Sequence, residues 1–258
     1  MTASRKAIVV PSVSNMERGL YIAASGMLTE LVRQDQLAND LANASTPGYK
    51  ADRSSQASFG DLLLSNTATG QVIGPLGLGV QIAQTKTDLT QGPLVQTGEP
   101  LDVALQGPGF LAVQTPQGTR YTRDGQLAVD AKGGLTTGTG APVLDAQGKP
   151  ISVTGHAADL VIGADGTITA GGTTLGKLAI VSLTNPAKQG DTLFTGTAGA
   201  APAGTTLVQG SIEGSGTNPA RGMVDMIVSL RSYESSQRVI RSIDETLNRG
   251  IQSGGAGG

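Results

Sequence analysis

The sequence predicts an α+β fold, mainly β, in which a Gly-rich all-β centre is flanked by an N-terminal and a C-terminal helix. Three observations carry this. Leu20, Ala24, Met27, Leu31, Gln34, Ala38 and Leu41 fall at alternating four- and three-residue steps, the period of an apolar helix seam. Met223, Met226, Leu230, Tyr233, Gln237, Ile240, Asp244 and Leu247 repeat that pattern near the other end, with Ile227, Val239 and Ile243 widening the stripe. Between them lie short apolar runs split by turn residues: LDVAL (101–105), FLAVQ (110–114), LVIGADGTIT (160–169) and KLAIVSL (177–183).

Five segments follow from this pattern: an extension (1–15), an N-terminal helix and turn (16–64), a β-rich centre (65–210), a C-terminal helix (211–250) and a flexible tail (251–258). Asn218 is a good N-cap, Pro219 suits the first helical position and Gly250 a stop. The first helix ends in LANDLANASTPGYK (37–50), where Leu37-Ala38-Asn39-Asp40 is echoed by Leu41-Ala42-Asn43-Ala44. Pro47-Gly48 forbids continuation. Asp124-Gly125 and Asp165-Gly166 read as hairpin turns, Asn185-Pro186 as a turn and AGAAPAGT (198–205) as a loop.

Composition excludes several classes. The chain has 258 residues with 38 Gly, no Trp, three Phe and four Tyr, so its core must be built mostly from Val, Leu, Ile and Ala. A net charge of −2 with no basic stripe argues against nucleic acid as a partner. Cysteine is absent, which rules out disulfides and thiolate metal sites. The apolar run Ala7 to Val10 is too short for a secretory signal, no stretch approaches a membrane span, and Met16 competes with Met1 as the start.

No catalytic set emerges, and neither a cofactor nor a metal is expected. His156 is a single histidine in a polar context. GPGF (107–110) lacks the lysine and hydroxyl of a phosphate loop and reads as a turn. Arg120, Arg123 and Asp124 read as a solvated strand end or an inter-subunit salt bridge.

Three blocks carry a resemblance. GLYIAASGM (19–27) with LANDLANASTPGYK, then LDVALQGPGFLAVQTPQGTRYTRDGQLAVDAKGGL (101–135), then IEGSGTNPARGMVDMIVSLRSYESSQRVIRSIDETL (212–247) are similar to segments of flagellar basal-body rod and hook proteins. One departure is Ser215-Gly216-Thr217, where the family usually has Ser-Asn-Val. The resemblance implies a structural subunit of the rod, of proximal or distal type, and not an enzyme. It also implies export through the flagellar type III apparatus without a cleaved signal, location in the basal body, and self-association together with other rod and hook axial proteins. On assembly the terminal helices would pair into a coiled-coil-like inner tube. The interface would then comprise Leu20, Met27, Leu31 and Leu41 on the first helix and Met223, Met226, Ile227, Leu230, Tyr233, Ile240 and Leu247 on the last. Asn39 and Asn43 would add hydrogen bonds in the bundle, and Pro47, Gly48 and Tyr49 would turn the chain towards the β domain. Alanine at positions 47 and 48 is expected to impair assembly while sparing the β core. The bland reading of both seams is an intrachain core, and the competing function is a secreted β-rich surface or binding module.

Overall fold

The computed structural model describes residues 15–58, 61–65, 72–77, 79–153 and 160–255. Residues 1–14 and His156 lie outside the described residues. Helix α1 spans Asn15–Ala42 and α2 spans Pro219–Gly255. Between them run β1 (Asp52–Ser58), β2 (Asp61–Ser65), β3 (Val72–Gly77), β4 (Val80–Thr87), β5 (Leu94–Gln96), β6 (Val103–Gln106), β7 (Phe110–Thr115), β8 (Gly118–Thr122) and β9 (Leu127–Val129). Then follow β10 (Leu135–Thr137), β11 (Leu160–Ile162), β12 (Thr167–Ala170), β13 (Thr173–Lys177), β14 (Ile180–Gln189), β15 (Leu193–Gly199), β16 (Thr206–Gln209) and β17 (Ser211–Glu213). Two helices flanking a strand-rich region match the predicted class. Among the described residues no helix is long and apolar enough to cross a membrane.

Chain contacts divide the molecule into two units. Among the described residues the first takes those of 15–38, 54–85 and 223–255; the second takes those of 39–53 and 86–222. Within the second unit β14, β15, β8 and β7 close into a small barrel. The remaining strands pair in twos and threes: β16 with β6, β17 with β5, β9 with β10, and β11, β12 and β13 in order. Short pairings of this kind bury a core built from several directions. Val103, Leu105, Leu111, Val113, Leu135, Val143, Ile168 and Leu178 are buried in one apolar cluster, and Phe110 and Phe194 meet at 5.1 Å between ring centroids. Leu111 sits fully buried on β7, so Leu111→Ala should cost about 2–5 kcal/mol, read as a lowered urea midpoint at unchanged slope.

The turn readings divide. β11 and β12 pair antiparallel with Ile162 opposite Ile168, so Asp165-Gly166 does form a hairpin turn. Asp124-Gly125 does not, because β8 pairs with β7 and β15 while β9 pairs with β10. There the glycine serves close approach: a Cβ on Gly125 would lie 1.6 Å from the Val103 carbonyl oxygen. Asn185-Pro186 lies inside β14 as a bulge, with Asn185 at φ 51° and the register shifting between Thr184 and Ala187. Asn tolerates that left-handed backbone, which is why a turn signal can sit within a strand.

Helix ends also differ from expectation. α1 stops at Ala42, five residues before Pro47. The Asn43 side-chain amide donates to the Asn39 carbonyl at 3.1 Å and the Thr46 hydroxyl to Asn43 Oδ1 at 3.0 Å, beside tightened backbone bonds from the Ala44 N–H to Leu41 and from the Thr46 N–H to Asn43. α2 starts as predicted, with the Arg221 N–H donating to Asn218 Oδ1 at 3.1 Å. It continues past Gly250 to Gly255, because an isolated glycine weakens a helix by only about 1 kcal/mol without stopping it.

Candidate assembly interface

The first unit brings α1 and α2 side by side. A Cβ on Gly19 would lie 3.2 Å from the Ile243 side chain and one on Gly26 would lie 3.7 Å from Ser236. The Ser229 hydroxyl donates to Glu30 Oε2 at 2.5 Å. Residue numbers rise on one helix as they fall on the other, so the helices run antiparallel. The contact line is made of small residues, Gly19, Gly26, Ser229 and Ser236, at seven-residue spacing. Ala23 and Ser229 are buried on it. A periodicity search for apolar side chains misses this line, because Gly and Ser carry no apolar weight; their spacing was the available signal.

The predicted seam residues lie beside that line rather than on it. Leu20, Met27, Met226, Tyr233 and Ile240 are half-buried, whereas Leu31, Met223, Ile227 and Leu230 are exposed. The Leu247 side chain lies outside the described residues. Further apolar residues that the seam did not include are exposed as well: Tyr21, Leu28 and Val32 on α1, and Val224 and Val228 on α2. At about 3.6 residues per turn Leu28 and Val32 lie on the far side of α1 from Gly19, Gly26 and Glu30. Next to them the start of β4, which pairs with β1, packs on α1, where the Val80 N–H donates to Ser25 Oγ at 3.2 Å. Together these elements shape an open groove of about 380 Å³ lined by Tyr21, Leu28, Val32, Val80 and Ile82.

The second unit holds a buried junction that composition alone could not reveal. Glu213, fully buried, accepts from Lys50 Nζ at 2.5 Å through Oε1 and from Arg123 Nη1 at 3.0 Å through Oε2. Oε1 also accepts the Gly92 N–H at 2.8 Å, while the Glu213 carbonyl accepts the Gly48 N–H at 2.8 Å. Lys50 donates further to the Thr90 carbonyl and Arg123 to the Gly107 carbonyl. The Arg123 guanidinium lies 5.3 Å from the Phe110 ring centroid. Arg123 is therefore an intrachain buried ion, not a solvated strand end or an inter-subunit bridge.

Tyr49 extends the junction. Its hydroxyl donates to Asp40 Oδ1 at 2.7 Å and lies 2.8 Å from Asn39 Oδ1, and Lys188 Nζ sits 4.0 Å from its ring centroid. Burial raises the Asp40 carboxyl above its ordinary value against the hydrogen bond from Tyr49, and burial together with the Asp40 carboxylate raises the Tyr49 phenol. Burial likewise raises Asp124. Asn39 and Asn43 spend their side chains within the chain: Asn43 Nδ2 also reaches Asp191 Oδ1 at 3.4 Å. Leu41 is half-buried beside them and Pro47 is half-buried in the turn. Among the described residues no group of three or more Asp, Glu, His or Cys could hold a metal ion.

Comparison with known proteins gives this arrangement a family. Residues 20–50 match the model described as flagella basal body rod protein, 104–170 the flagellar hook protein FlgE/F/G D1 domain, and 208–253 the flagellar basal body rod FlgEFG protein C-terminal segment. The flagellar basal-body rod protein FlgF of Escherichia coli is 35% identical over 257 residues, covering 92% of this chain and 98% of that protein. FlgF of Caulobacter vibrioides is 32% identical over 92% of this chain and 98% of its own length. FlgG of Bacillus subtilis is 32% identical over 90% and 97%. The chain belongs to the flagellar basal-body rod protein family. The matched segments of this rod-family chain meet at Glu213: 20–50 brings Gly48 and Lys50, 104–170 brings Arg123, and 208–253 brings Glu213 itself.

Proposed function

We propose that this chain is a structural subunit of the bacterial flagellar rod, which polymerises with other axial proteins into the shaft that carries motor torque to hook and filament. The observation that carries the reading is the exposure of large apolar side chains along both terminal helices, with Leu28 at 65% and Val224 at 59%. Solvated apolar surface on this scale marks an interaction site. Family membership supplies the kind of partner: copies of itself and neighbouring rod and hook proteins. In this role the helices line the inner tube, and Leu20, Met27, Leu31, Leu41, Met223, Met226, Ile227, Leu230, Tyr233, Ile240 and Leu247 contribute to the subunit contacts. The subunit reaches the basal body through the flagellar export apparatus without a cleaved signal, and the work it does is mechanical rather than catalytic.

The test is Leu230→Asp in cells whose own copy is deleted. Each buried Leu contributes about 1.5–3 kcal/mol, repeated at every subunit, so one exposed aspartate in the contact should abolish swimming. Thermal unfolding of the strand-rich unit should not move, since Leu230 is exposed on α2. Normal motility in that strain would sink the reading; a large drop in melting temperature would place Leu230 in an intrachain core.

A further inference from the structure

The subunit contact can be specified further, on the reading that the chain assembles. We infer that the groove between α1 and β4 receives the outward face of α2 from a second copy, with Val224, Ile227 and Val228 seated against Tyr21, Leu28, Val32 and Ile82. Three features of the first unit support it. The two apolar patches are unlike: one is a groove floored by a strand, the other a convex helix face. The groove residues lie on the far side of α1 from Gly19 and Gly26, and on α2 Ile227 lies opposite Ser229 and Ser236 with Val224 and Val228 on its flanks, so the partner helix of the same chain leaves both patches exposed. The patches are also out of step. Gly19 faces Ile243 and Gly26 faces Ser236, so Ile227 lies level with a point near residue 35 on α1. The groove is centred about eight residues away, an offset of roughly 12 Å along the pair.

Unlike patches on opposite sides, displaced along the axis, define a heterologous contact. A contact of that kind leaves each patch open at one end of the assembly and propagates instead of closing into a dimer. The charges beside the patches agree: exposed Asp35 follows the groove residues on α1, and exposed Arg231 follows the α2 patch. Opposite signs flank the two surfaces that are to meet, whereas two copies of either patch would bring like signs together. β4 thereby becomes part of the axial contact, a role that neither helix seam implies.

The chain has no cysteine, so engineered pairs report cleanly. Leu28→Cys, Val228→Cys and the double variant are expressed in cells lacking their own copy, swimming is scored, and envelopes are oxidised and blotted without reductant. The double variant should give a ladder extending beyond dimers. Cells carrying both single variants should give dimers and nothing larger, and either single variant alone should stay monomeric. Dimers from Leu28→Cys alone would replace the heterologous contact with a symmetric one and overturn the proposal. So would the absence of any ladder in cells that swim, which leaves the rod reading intact. If the cysteine-free chain itself neither restores swimming nor enters basal bodies, the rod reading falls and this proposal with it.

Discussion

Glu213→Gln is expected to cost about 3–5 kcal/mol of stability in the strand-rich unit, far more than the loss of a surface ion pair. The reason is what remains. Lys50 and Arg123 are 1% and 4% exposed at their side chains, and Glu213 is the carboxylate that both of them touch. Glutamine keeps the shape and most of the acceptors, but it leaves two cations out of water without a counter-charge. Desolvation of an unpaired ion dominates lost Coulomb attraction in a low-dielectric interior. Urea unfolding followed by circular dichroism reads the loss directly. Adding Lys50→Met should recover part of it, because one stranded charge is then replaced by an apolar side chain of similar length. Independent, additive losses in the double variant would show that the two residues do not share one network.

Gly48→Ala should destabilise the same unit by about 3 kcal/mol or more, from backbone strain together with overpacking. Gly48 has φ 68°, and an added Cβ would lie 2.4 Å from both the Arg123 carbonyl carbon and the Asp124 nitrogen. Those are backbone atoms of a buried loop and cannot swing aside. The Gly48 N–H also donates to the Glu213 carbonyl, so any shift of this turn disturbs the strand that carries the glutamate. This replaces the expectation drawn from sequence, in which the Pro47-Gly48 turn is a hinge that can be altered while the β core stays folded. Pro47→Ala alone should be mild, since Pro47 is only half-buried. Equal midpoints for Gly48→Ala and the unmodified chain would restore the hinge view.

Much of this molecule is legible in its residue order. Apolar periodicity located both helices, Asn218-Pro219 placed the start of α2, and alternating runs with Asp165-Gly166 marked β11 and β12. These are local signals: capping, turn chemistry and side-chain period act within a few residues. The same locality explains the misreadings. Asn185-Pro186 has turn chemistry, yet pairing with β15 on either side holds it as a bulge. Asp124-Gly125 has hairpin chemistry, yet the partner that requires the glycine is Val103, more than twenty positions away.

The tertiary structure alone decided which residues act together. Nothing in the spacing of Lys50, Arg123 and Glu213 marks them as partners, because an ion pair across ninety or more positions leaves no periodic trace. The heptad pattern announced that the helices have apolar stripes, but not which face meets which. That was settled by size: glycine and serine permit the close approach of α1 and α2, Ile243 packs against Gly19, and Leu31, Met223, Ile227 and Leu230 are left exposed. Sequence by itself determined the elements and the family to which they belong. Folding determined the junction and which apolar side chains stay exposed, because packing selects contacts by fit and charge over distances that no local pattern encodes.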